Sequence, residues 1–277
     1  MKLKYLGTAA AEGWPALFCN CEVCTNARKV GGKELRTRTQ TLINDDLLMD
    51  FPPDTYMHAV RSGLNFSKVK SVVVTHSHMD HWFPVDMIHR HEHFAHNTPG
   101  MLQVYGNEAV EKSYYEAISI DRFKVHPLDE AVKFNLLKPF DKFETNGYTI
   151  TAIPADHDKR ENCLVYLVEK DGKTIFYGHD TGIKMSEEAW AAISAKHLDL
   201  ITLDCTMGLK RIDGYHMGLA DIEEVVERLT KAGAIDDSTV KVINHFSHNG
   251  GLNHEQLDAW AKERGMLCAY DEMEVEI

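Results

Sequence analysis

Residues 72–81 read VVVTHSHMDH, and both the fold and the chemistry of this chain turn on that stretch. Three valines and a threonine in succession read as a buried strand, because β-branched side chains pack well on a pleated surface. The polar cluster follows without a break, so its side chains hang from the carboxyl rim of a sheet, where α/β proteins place their sites. Alternate residues of an extended segment share a face, so His76 and His78 can bind one cation through imidazole nitrogens. Asp80 and His81 come next, where the chain is expected to turn into a helix, and they aim at a second cation beside the first.

Similar polar clusters end later strands. Residues 148–153 alternate as a strand and deliver His157, and a hairpin turning at Asp171-Gly172 delivers Asp180 within GHDTG. Residues 199–203 end at Asp204-Cys205, and residues 240–244 end at His245. His157 is the natural third ligand beside His76 and His78, since three imidazoles leave a position open for water. His245 joins Asp80 and His81, and Asp180, with two carboxylate oxygens, suits a bridging position. Two divalent cations held in this way, Zn2+ or Mn2+, lower the pKa of a shared water and stabilise charge on the attacking and leaving oxygens of an ester. Asp50 is expected to orient the metal-binding loop, and His179 to be structural.

Nearer the amino terminus, Cys19, Cys21 and Cys24 bring three thiolates within reach of one tetrahedral ion, and the fourth ligand must come from elsewhere. Asp54 is expected to cap a helix ending near Gly63. Residues 80–96 have a helical pattern, with Pro84 in the first turn or interrupting it. His89, His91, His93 and His96 in that segment do not gather on one face and are assigned to a solvated surface. Residues 125–148 resolve only as mixed strand and loop.

Bulk properties bound the function. Thirty basic against 42 acidic residues, a net charge of −12, argue against an extended nucleic-acid surface. An anionic substrate remains compatible, because two bound cations would dominate the local field. No apolar run approaches the roughly eighteen residues of a membrane span, and MKLKYLGTAAAEG has too short an apolar core for a secretory signal, so a cytoplasmic location without membrane contact is expected. Six cysteines, three of them clustered, fit a reduced compartment. With no linker, low-complexity tract or tandem repeat, a single domain over residues 1–277 is expected.

The pattern His-x-His-x-Asp-His after an apolar strand, followed by His157, Asp180 and His245, resembles the metallo-β-lactamase superfamily over the whole chain. That resemblance implies a four-layer αββα sandwich of the α/β class, with two metals at one edge of the sheets. The Cys19, Cys21, Cys24 loop is similar to that of the cyclic phosphodiesterase family of bacterial phosphonate degradation, which also carries a His three positions after its last active-site His, here His248. The resemblance thereby implies a Cys3His structural zinc and places His216 close to a scissile phosphate, as proton donor to the leaving alkoxide or as a phosphoryl hydrogen-bond donor. Asp80 and His216 form the catalytic set on this reading. The expected function is dinuclear hydrolysis of a small cyclic or nucleotide-like phosphodiester, in a chain that the resemblance suggests is a homodimer. Two alternatives share the scaffold. One is the transfer-RNA 3′-processing endonuclease, whose long Gly- and Pro-rich insertion is missing here; the other is a binding or cofactor-pathway protein of the pyrroloquinoline quinone type.

Overall fold

The apolar runs pair into two sheets. The structure is a computed structural model and describes residues 1–119 and 130–277. Among these residues the first sheet contains β1 (Lys2–Gly7), β2 (Gln40–Ile43), β3 (Leu47–Met49), β4 (Ser71–Val73), β5 (Leu102–Gly106), β6 (Val132–Leu136) and β14 (Met273–Glu276), in the order β14-β1-β2-β3-β4-β5-β6. The second contains β7 (Lys142–Thr145), β8 (Tyr148–Pro154), β9 (Leu164–Lys170), β10 (Lys173–Gly178), β11 (Leu200–Asp204), β12 (Val240–Asn244) and β13 (Leu267–Cys268), in the order β13-β12-β11-β10-β9-β8-β7. Each half has the same plan: antiparallel hairpins, then parallel strands, β3 to β6 in one and β10 to β13 in the other. The β2–β3 turn places Asn44 and Asp45 at φ 47° and 67°, and the β9–β10 turn places Asp171 and Gly172 at φ 52° and 76°. Asn, Asp and Gly are the residues that tolerate such left-handed pairs, which match the twist of the flanking strands.

Two apolar interfaces hold the layers. The inner faces meet through Tyr5, Ile43 and Val73 on one side and Ile150, Tyr166 and Phe176 on the other, all fully buried. On the outer side of the second sheet, α4 (Glu187–Ile193), α5 (Leu219–Lys231) and α6 (His254–Glu263) bring Trp190, Ile222, Val225 and Leu257 into the same core. Helix α3 (Glu108–Ser119) brings Val110 and Tyr114 into the cluster formed with Val72 and Val104 of the first sheet. Burying each such side chain contributes about 1.5–3 kcal/mol. The result is the four-layer αββα sandwich that the sequence implies. No helix among the described residues is long and apolar enough to cross a membrane.

Several local expectations need correction. The strand expected through the three valines and Thr75 pairs as sheet only at Ser71–Val73. Beyond it the chain crosses to the second sheet: Tyr166 Oη donates to the Val74 carbonyl at 2.6 Å and the Leu164 amide to that of Thr75 at 2.9 Å. Residues 80–96 are not an α-helix but turns around a seven-residue 3₁₀ segment, Pro84–Arg90, with proline at its first position, where a missing N–H costs nothing. His91 is buried and accepts from the His93 amide at 3.2 Å, whereas His89, His93 and His96 are exposed as expected. Asp54 sits at the cap position of α2 (Thr55–Ser62), yet its carboxylate accepts from the backbone amide and Nη1 of Arg38 instead of capping the helix. In the mixed region from residue 125 on, β6 and β7 emerge, and residues 125–129 lie outside the described residues.

Helix α2 also buries His58, which donates through one nitrogen to Gln40 Oε1 (Nδ1 to Oε1, 2.7 Å), its Nε2 lying 2.8 Å from Thr37 Oγ1. Burial pushes its pKa down to about 4. The unfolded chain therefore binds a proton here before the folded one does. The stability contribution is complete above about pH 6.5 and is lost as pH falls towards 4, on the order of 3 kcal/mol in all. Urea midpoints measured from pH 7 to 4.5 are expected to fall across this window, with a shallower slope for His58→Gln; parallel slopes would contradict the assignment.

Candidate metal centre

The carboxyl ends of the parallel strands of both sheets meet at one edge, and the polar clusters meet with them. His76, His78, Asp80 and His81 lie in the turn beyond β4, held by hydrogen bonds from the His81 and Trp82 amides to the His78 carbonyl, both 2.9 Å. His157 follows β8, Asp180 follows β10, Asp204 ends β11, His216 lies in the loop between β11 and α5, and His245 follows β12. Asp180 and His245 adopt left-handed φ values of 52° and 60°, as do Asp50 (64°) and Tyr215 (69°). Each such conformation costs about 1–3 kcal/mol outside glycine, and strain of this kind collects where surrounding structure holds a functional side chain in place.

The histidines and carboxylates form two adjoining sets. His76, His78 and His157 are the first, with His78 Nδ1 3.3 Å from His157 Nε2. Asp80, His81, Asp180 and His245 are the second, with His81 Nε2 3.2 Å from His245 Nε2. Asp180 Oδ2 stands between them, 3.4 Å from His76 Nε2, 3.9 Å from His157 Nε2 and 2.7 Å from His81 Nε2. Imidazole nitrogens facing one another at such distances, and a buried His76 Nε2 that makes no hydrogen bond, fit a donor set built for cations.

The other side of each ring is committed to protein. His81 Nδ1 lies 2.9 Å from Asp50 Oδ2, while Asp50 Oδ1 accepts from the Thr75 amide and hydroxyl at 2.8 and 2.9 Å. His78 Nε2 faces Asp158 Oδ2 at 3.0 Å, His157 Nδ1 the Tyr215 carbonyl at 3.0 Å, and His245 Nδ1 the Thr206 hydroxyl at 2.8 Å. Such partners select the tautomer and raise ligand basicity. Burial holds His76 well below the usual histidine range and lowers His157, which keeps both neutral, the form that binds metal. Burial would lower His81 as well, but Asp50, Asp80 and Asp180 outweigh it and raise it. Burial would raise Asp180, but His245, His157 and His81 outweigh it and hold the carboxyl well below the usual range.

His216 enters beside the second set, its Nδ1 3.0 Å from Asp180 Oδ1 and 3.2 Å from Asp204 Oδ2. Its loop is pinned by a close approach that needs glycine: Gly208 has φ 51°, and a Cβ there would lie 2.5 Å from the Gly250 carbonyl oxygen. His179 is turned away from the ligands, its Nε2 2.8 Å from Thr202 Oγ1, in keeping with a structural role.

Cys19, Cys21, Cys24 and His248 also converge, their ligand atoms all within 4.8 Å of one another. Cys21 precedes α1 (Glu22–Val30), and Cys24 lies in its first turn. Burial opposes ionisation of Cys21, but the Cys24 amide and His248 outweigh it and bring the thiol down to about 6, towards the thiolate that binds metal. The eleven residues expected as metal ligands, together with His216, are thus brought into these two places.

Four contributors carried no assigned role in the sequence reading. Asp204 is fully buried between His216 and His245. Asp158 backs His78, and Thr206 backs His245. Glu161 accepts from the Ser77 amide and hydroxyl at 3.0 and 2.7 Å and from Asn107 Nδ2 at 2.9 Å, clamping the His76–His78 turn. For Asp204 the available signal was its place at a strand end; the others are ordinary loop residues in sequence.

Known proteins share this architecture. A crystal structure of a diphosphatase from the PhnP family superposes with TM-score 0.76 at 21% identity, covering 100% of this chain and 97% of that one. The Zn2+-bound PqqB of Methylobacterium extorquens gives 0.69 at 18% identity over 100% of both chains. Coenzyme PQQ synthesis protein B of Methylobacterium radiotolerans is 35% identical over 95 residues, 29% of this chain and 31% of that protein, so the match spans less than a third of its length. The family model of the beta-lactamase superfamily domain matches residues 47–246, the interval from β3 to just past His245, and the chain accordingly belongs to the metallo-β-lactamase superfamily.

Proposed function

We propose that this protein is a dinuclear metal-dependent phosphodiesterase acting on a small cyclic or nucleotide-like phosphodiester. The observation that carries the reading is the convergence of seven side chains from separate strand ends into two sets joined by Asp180. His76, His78 and His157 would hold one divalent cation, Asp80, His81 and His245 the other, and Asp180 both; zinc and manganese each suit this donor set. When bound, such a pair supplies water of lowered pKa and neutralises charge on phosphoryl oxygens. Cys19, Cys21, Cys24 and His248 would hold a structural zinc.

The protein's own groups account for binding and proton movement. The two sets open into a cavity of about 480 Å³, the size of a small-molecule site, whose wall includes Met207, Lys210 and Ser247. The Lys210 ammonium offers a counter-charge to an anionic substrate. His216 directs Nδ1 at Asp204, which leaves Nε2 to donate a proton to the departing alkoxide or to a phosphoryl oxygen. A single domain over residues 1–277, a homodimer and a cytoplasmic location belong to the same proposal. The similarity to Coenzyme PQQ synthesis protein B favours a second reading, a cofactor-pathway protein that binds without hydrolysing.

Turnover separates the two. The chain loaded with zinc or manganese is expected to hydrolyse bis(p-nitrophenyl) phosphate well above the rate of free metal. A rate no greater than free metal would support the binding protein and contradict the phosphodiesterase.

A further inference from the structure

One side chain, Glu12, stands between the cysteine cluster and the cavity. His248 turns Nδ1 to the thiols, 3.4 Å from Cys21 Sγ and 3.7 Å from Cys19 Sγ, and turns Nε2 to Glu12 Oε1 at 3.6 Å. The same carboxylate oxygen accepts from the Ser247 hydroxyl and from Asn249 Nδ2 at 3.4 Å. Glu12, Ser247 and Asn249 all line the cavity that holds the two histidine sets. The backbone joins the same segments: the Ala10 amide donates to the Phe246 carbonyl and the Phe246 amide to that of Thr8, each at 2.9 Å.

Two physical arguments converge on this carboxylate. A histidine that ligates metal through one nitrogen commonly presents its other N–H to a carboxylate, and that outer partner fixes the ring and raises its basicity. A free carboxylate in a pocket for an anionic ester would also repel the substrate. Here the imidazole, a hydroxyl and an amide all address the same oxygen, which offsets part of its charge at the cavity wall.

The geometry points to Glu12 as a positioning residue that joins the two sites: it orients His248 for zinc in the Cys3His cluster and carries that order into the substrate wall through Ser247 and Asn249. The inference rests on reading the cluster as a zinc site and the cavity as the substrate site. With zinc bound, His248 is fixed and Glu12 with it; without zinc, the ring turns and the wall formed by Ser247 and Asn249 loses its anchor.

The test uses the full zinc-loaded chain with Glu12→Ala and Glu12→Gln. Glutamine keeps an oxygen for Ser247 and Asn249 but drops the charge; alanine loses both. Competition with a chromogenic chelator reads zinc retention independently of turnover, and retention is expected to weaken about tenfold or more in both variants. KM for the chromogenic diester is expected to rise several-fold in Glu12→Ala with kcat within about twofold, and glutamine is expected to recover most of the KM. Unchanged zinc retention in both variants overturns the proposal, and so does weakened retention with an unchanged KM in Glu12→Ala. A wild-type chain without turnover would count against the phosphodiesterase reading alone. The wall is then read from the Kd for inorganic phosphate, where the same rise is expected and its absence overturns the link.

Discussion

Asp180→Ala is expected to lower kcat/KM for a phosphodiester by at least about a thousandfold, some 4 kcal/mol of transition-state stabilisation, while the fold survives. The carboxylate lies within 4 Å of His76, His81 and His157 through one oxygen and of His245 and His216 through the other. Its removal would take a shared ligand from both cations at once and leave the His81 and His245 nitrogens, 3.2 Å apart, without the carboxylate that lies beside both. Asp180→Asn keeps the shape and loses the charge, so it is expected to fall nearly as far. Initial rates at matched metal loading check this, with urea midpoints as the control for folding. Near wild-type activity in either variant would remove the bridging role.

His216→Ala is expected to reduce kcat by about 10²–10³ for diesters with a poor, alkyl-alcohol leaving group, and to change it little for p-nitrophenolate, which departs without a proton. The contrast is needed because His216 also touches Asp180, so a general loss would only show disturbed metal binding. Asp204 makes the proton-donor role physically reasonable. It is fully buried and lies 3.2 Å from His216 Nδ1, holding the ring in one orientation while the side chain keeps partial access to the cavity. Equal losses with both leaving groups would assign His216 to phosphate binding or to structure.

Much of this arrangement is visible in the sequence because local signals and the tertiary fold agree. VVVTHSHMDH couples a strand pattern to its ligands with nothing in between, and the turns at Asn44-Asp45 and Asp171-Gly172 carry their own conformational preference. Residues 80–96 misled because their apolar spacing suits a helix. The turn at His78 to Trp82 instead obeys Asp50, Thr75 and Glu161, which come from distant positions. His91 is buried by the packing of that irregular segment, which a solvent-facing assignment from helical spacing does not register. Asp54 looks like a helix cap, but the Arg38 guanidinium competes for its carboxylate. Glu12 and Glu161 are single acidic residues in loops, and only their three-dimensional partners distinguish them from solvated charge.

The central claim is that these side chains hold two adjoining cations, with a third ion in the cysteine cluster. The most direct measurement is metal analysis of the wild-type, Asp180→Ala and Cys24→Ser chains after reconstitution and removal of excess metal. The account predicts about three equivalents per wild-type chain, loss of the histidine-bound pair in Asp180→Ala with the cysteine-bound ion kept, and the reverse in Cys24→Ser. A wild-type chain that retains a single equivalent, or an Asp180→Ala chain that retains all three, would contradict it.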